Sequence, residues 1–117
     1  MMVSLSYESR RFQVWSYSVS HSQLLIRSVK EGSHDTVVDV LFKGVSFLQL
    51  HTWLDGLVIV EVEPSASNCP EMAAEGRRVF EVRTRDTCGH VVAGSVWHTE
   101  FDGSHGDPSP LIPRFPP

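Results

Sequence analysis

"QLLIRSVKEGSHDTVVDVLFK", residues 23–43, sets two runs of branched aliphatic residues on either side of "KEGSHDT". Short apolar runs bounded by Gly, Ser and Asp, with no sustained recurrence at helical spacing, read as paired strands. A loop centred on Ser33 sets Arg27 opposite Asp39, Ile26 opposite Val40 and Leu24 opposite Phe42. Because side chains alternate along a strand, this register assigns every residue to a face. Leu24, Ile26, Val38, Val40 and Phe42 share a core face, and Arg27 and Asp39 lie on the other. Opposite charges directly across a strand pair contribute about 0.2–1 kcal/mol, so the register is chemically sensible.

The same reading extends outward in both directions. A tight turn at His21 and Ser22 puts Tyr17 opposite Ile26 and Val19 opposite Leu24, which adds Trp15, Tyr17 and Val19 to the core face. Asp55-Gly56 between apolar runs is a strong hairpin signal, although that hairpin has mixed faces, with Gln49 and His51 sharing a side with Trp53 and Val58. "DTCG" at 86–89 suits a turn with a bulge at Gly89, pairing Thr84 with Val92, Val82 with Gly94 and Phe80 with Val96.

These pieces predict an all-β fold of about seven antiparallel strands, near 11–20, 23–30, 36–43, 46–53, 57–63, 78–85 and 90–100. The architecture is a meander-rich sandwich or a partly open barrel. At most one short helix is expected, near residues 70–75 after Pro70. Residues 1–10 read as an N-terminal arm, 11–101 as a single domain and 102–117 as a Gly- and Pro-rich tail, since proline supplies no ladder donor. A chain of 117 residues buries roughly two thirds of its unfolded surface and needs no staple.

Composition excludes several functions. Ten Lys and Arg against fourteen Asp and Glu give a net charge of −4, no footprint for nucleic-acid phosphates. No apolar run approaches the roughly 18 residues that would span a bilayer, and "MMVSLSYESRR" has no apolar core before its charges, so a cytoplasmic protein is expected. The glycines are isolated, which argues against a phosphate cradle and hence a nucleotide cofactor; no cofactor of any kind is expected. Cys69 and Cys88 lack paired spacing and read as free thiols, with Cys88 near Arg85 and His90. His21 and Ser22 beside Asp35 or Asp55 stand in no recognisable nucleophile motif. "PLIPRFPP" has the proline period of a polyproline II segment but reads as a semi-rigid tail.

Two candidate sites remain. "WHTEFDGSHGD", residues 97–107, places His98, Glu100 and Asp102 on one side of the last strand, with Arg78 across from His98. With His51 or His21 from another strand these residues would form a metal, small-ligand or acid/base site at a cavity mouth; the simpler reading is that Arg78 and Glu100 pair to close the core. The second candidate is the outer face of the first hairpins. There Ser16, Arg27 and Asp39 form a polar row amid Val14, Leu25, Val29, Val37 and Leu41, where a solvated face would be mostly polar. An apolar ring around charges suits a covered surface: the tail or the last hairpin, a homodimer contact, or another protein. The expectation is a domain that acts by binding rather than catalysis, as a protein-interaction or self-association module using Arg27, Asp39, Ser16, Leu25, Leu41 and Val29.

Overall fold

The computed structural model describes residues 2–63, 77–104 and 106–112. Ten strands make up the described chain: β1 (Ser4–Ser6), β2 (Arg11–Ser18), β3 (Gln23–Ser28), β4 (Val37–Lys43), β5 (Phe47–Gln49), β6 (Trp53–Asp55), β7 (Val58–Val62), β8 (Arg78–Arg83), β9 (Cys88–Ala93) and β10 (Ser95–Phe101). They form two five-stranded antiparallel sheets, ordered β1-β7-β8-β9-β5 and β10-β4-β3-β2-β6, and neither closes into a barrel. No helix occurs among the described residues, so none there is long and apolar enough to cross a membrane. The helical turn expected after Pro70 and the thiol of Cys69 lie outside the described residues, as do His105 and most of "PLIPRFPP".

The β3–β4 hairpin has the register read from the sequence, with Arg27 opposite Asp39, Ile26 opposite Val40 and Leu24 opposite Phe42. Its inner row meets the other sheet across a dry core. Phe12, Leu24, Ile26, Val38, Val40, Phe42 and Leu54 on one side bury against Ile59, Phe80, Val82 and Val91 on the other. Phe42 and Phe80 touch edge to face across the gap, with ring centroids 5.5 Å apart.

Four expectations are corrected, each for a local reason. In β2 the turn pairs Ser18 with Gln23, so Tyr17 faces Leu24 instead of Ile26, and further along the ladder shifts between Val14 and Ser16. The extra residue reverses the faces of the strand's first half: Val14 packs on the core, Trp15 stands outside it, and Val19 in the turn is exposed. The Asp55-Gly56 turn does not close a hairpin. It carries the chain from β6 in one sheet to β7 in the other, which buries both Leu54 and Leu57. Gly56 has φ +76°, and a Cβ there would stand 3.1 Å from the Glu8 carbonyl.

The β8–β9 turn runs from Thr84 to Thr87, closed by the Thr84 N–H to the Thr87 carbonyl at 2.9 Å. Val82 therefore faces Gly89, and Phe80 faces Val91. Gly89 is required by packing and not by a bulge, since a Cβ there would overlap the Gln49 carbonyl of β5. Finally, the single strand expected over 90–100 divides at Gly94. That residue's N–H goes to the Lys43 carbonyl at 2.9 Å, and the chain crosses from the first sheet to the edge of the second. The expected arm contributes β1, which pairs with β7.

Candidate interaction surface

Alternation on the second sheet sends Arg27, Asp39, Leu25, Leu41, Val37 and Ser16 to its outer face, away from the core. Arg27 and Asp39 are 1% and 0% exposed and joined as a fork: Nε donates to Oδ1 at 2.7 Å and Nη2 to Oδ2 at 2.9 Å. A buried pair repays its desolvation only when the remaining donors are also satisfied. Here Nη1 donates to the Asp107 carbonyl at 2.6 Å, and the guanidinium lies over the rings of Trp15 and Phe101, 5.4 and 5.7 Å from their centroids.

The segment after β10 supplies that carbonyl by folding back. The Asp107 carboxylate accepts from the Ser104 N–H at 2.8 Å and its hydroxyl at 3.0 Å, and these bonds hold the carboxyl below its usual range. Ser109 is buried, and between this segment and Trp15, Leu25 and Arg27 lies a depression of about 370 Å³. Leu25 and Leu41 are buried, Val29 is half-buried and Ser16 is exposed. The centre of the apolar ring is thus covered from within the chain.

Its rim is not. All three tryptophans of the protein lie on this face. Trp97 sits across from Leu41, Trp53 shares the row of Arg27 through Gln13, and Trp15 is the bulge residue. Trp15, Trp53 and Trp97 are 37%, 53% and 51% exposed. Arg11 lies over Trp53 at 4.9 Å and Lys43 over Trp97 at 5.4 Å, so a cation backs each of these two rings. The sequence reading put Trp15 on the core face and left Trp53 and Trp97 out of the site. Trp97, Thr99 and Phe101 do alternate onto one side, but which side follows only from β10 pairing with β4.

The residues proposed for a cavity mouth are held apart. His98 lies on the inner side of β10, across from Val40, and its Nδ1 is 2.7 Å from the Tyr7 hydroxyl. Burial, helped by the Glu100 charge, raises that hydroxyl above its ordinary pKa. Glu100 accepts from the Thr36 hydroxyl at 2.5 Å and stands 3.7 Å from Arg10. Arg10 is itself buried and donates from Nε to the Ser28 hydroxyl at 3.0 Å. Arg78 does not pair with Glu100 or face His98. It faces Ala93 and forks onto Glu61 at 2.7 and 3.0 Å, holding the Glu61 carboxyl below its usual range.

His51 is exposed beside Cys88, a free thiol, and His21 accepts or donates within reach of the Ser18 and Ser20 hydroxyls in its turn. Among the described residues no three His, Cys, Asp or Glu side chains come together to hold a metal ion. Comparison with protein-family models, with curated proteins and with solved structures gives no match.

Proposed function

We propose that this chain is a protein-interaction module that works through the outer side of its second sheet, with a second copy of itself as the first partner. The observation that carries the reading is the gathering of all three tryptophans, each more than a third exposed, around one buried ion pair. Tryptophan and arginine dominate the energetics of protein interfaces, because a large flat ring removes much surface from water at little cost in side-chain freedom. The fork of Arg27 and Asp39 and the folded-back segment hold Trp15 and Phe101 in place, so little ordering remains to oppose association.

The test is sedimentation velocity over a range of concentrations. Wild type is expected to show a reversible dimer, and Trp97→Ala to weaken it by about tenfold or more, the loss of about 1.4 kcal/mol or more that truncating an interface tryptophan typically brings. A chain that stays monomeric throughout overturns the reading. So does a dimer indifferent to Trp97→Ala but broken by Arg83→Ala on the opposite sheet.

A further inference from the structure

Four strands lie at sheet edges, and three of them, β1, β5 and β6, are three residues long. Short edges are a common protection against pairing with another chain, as are lysine, proline and bulges. β10 lacks all of these, and the inward-pointing charge it does carry, Glu100, is engaged by Thr36 and Arg10. It runs seven residues, "SVWHTEF", without Lys or Pro, and pairs with β4 along its whole length with no register shift. One side of β10 is therefore a row of backbone donors and acceptors with no neighbouring strand among the described residues.

Its central residues are complementary to their own reverse: aromatic, imidazole, threonine, carboxylate, aromatic, from Trp97 to Phe101. A two-fold contact brings one patch against itself, so a strand that pairs antiparallel with its own copy must be self-complementary. Centring the axis on Thr99 sets Trp97 opposite Phe101, His98 opposite Glu100, and Thr99 opposite Thr99 of the second copy. Aromatic and Thr–Thr pairs are favourable cross-strand combinations, and with Nδ1 turned to the Tyr7 hydroxyl the Nε2 side of His98 is placed to hydrogen-bond the Glu100 carboxylate of the second copy.

The neighbouring registers lack this match. An axis on His98 would set imidazole against imidazole and Trp97 against Thr99, and an axis on Trp97 would leave Glu100 opposite Gly94. The two partners also have capacity to spare. His98 uses Nδ1 toward Tyr7 and Glu100 uses Oε2 toward Thr36 and Arg10, while His98 Nε2 and Glu100 Oε1 have no partner among the described residues.

We infer that two copies of this chain join edge to edge through β10, antiparallel and centred on Thr99, to give one ten-stranded sheet with its tryptophan faces side by side. The inference rests on the self-association reading above but gives it a different seam, in which Trp97 at the β10 edge is the tryptophan that meets the second copy and the rest of the tryptophan face stays open. In this mode Trp53, on the opposite edge strand β6, makes no contact with the second copy.

The test uses full-length chains distinguishable by mass in native mass spectrometry. His98→Glu sets acid against acid in the self-pair, and Glu100→Lys sets an ammonium against the imidazole. Each variant alone is expected to lose dimer about tenfold, whereas their mixture regains it as a heterodimer, because the carboxylate introduced in one copy then faces the ammonium introduced in the other. Since Glu100 also accepts from Thr36, Thr99→Lys serves as a further variant that leaves this contact in place, and it too is expected to yield monomer; because Thr99 faces Asp39, a cooperative melting transition is required of it as the sign of a retained fold. Trp53→Ala is expected to leave the dimer intact. A dimer indifferent to the charge exchange and to Thr99→Lys but lost on Trp53→Ala overturns edge pairing and leaves the face reading standing. Monomeric wild type overturns both.

Discussion

Arg27 with Asp39 and Arg78 with Glu61 are the same fork of guanidinium and carboxylate in two settings. The first lies on the outer face of a sheet, where water would be expected, yet is almost wholly buried under Trp15, Phe101 and the segment at Asp107. The second lies on the inner side, where a core would be expected, yet stands at its rim, with Arg78 about a third exposed and Glu61 also accepting from the Val3 N–H. Position on a sheet therefore does not decide how much an ion pair matters here. What covers it does.

The contrast is tested most severely by breaking the covered pair. Asp39→Ala leaves the buried Arg27 charge with two of its acceptor oxygens gone, and is expected to destabilise the fold by about 3–5 kcal/mol in urea unfolding. A loss below about 1 kcal/mol, the range of exposed pairs, would show that water reaches this face.

Glu61→Gln should have a smaller effect, about 1–2 kcal/mol at neutral pH, because it removes charge-assisted hydrogen bonds at a rim and leaves the shape intact. Here pH sharpens the comparison. The Glu61 carboxyl is held below its ordinary value, first by the hydrogen bond from Arg78, so its contribution is complete above the unfolded value of about 4.3 and is lost as pH falls through the lower folded value. Wild type and Glu61→Gln should converge in stability on acidification; a constant gap down to low pH would remove the ion pair as its cause. The smallest effect is expected at the exposed pair of Lys30 and Asp102, 3.0 Å apart, where Lys30→Ala should change the melting free energy by less than about 0.5 kcal/mol.

Much of this contrast was legible in the sequence, and its limits can be named residue by residue. Arg27 opposite Asp39 followed from a loop that joins adjacent strands, so local turn chemistry and face alternation sufficed. The polar row on that face was also visible, and with it the need for a cover. Trp15 was misplaced because a bulge adds one residue without any mark in the alternation of "FQVWSY". Arg78 was matched to the wrong acid because its partner depends on β7 lying beside β8, a contact between strands separated by residues 63–77. Trp53 and Trp97 were missed as surface residues for the same kind of reason, since their faces follow from β6 pairing with β2 and β10 with β4.

By itself, then, the sequence determined the all-β class, the central hairpin with its register, and the opposition of Arg27 and Asp39. Each of these rests on side chains a few residues apart, whose alternation and turn preferences act within one hairpin. Only the tertiary structure decided that Asp55-Gly56 and Gly94 are crossings between sheets, that the segment at Asp107 covers the ion pair, and that β10 is left at an edge. Those outcomes depend on burying Leu54, Leu57, Phe42 and Phe80 together between two sheets, and such packing is settled by the whole chain, with no local signal in any one stretch.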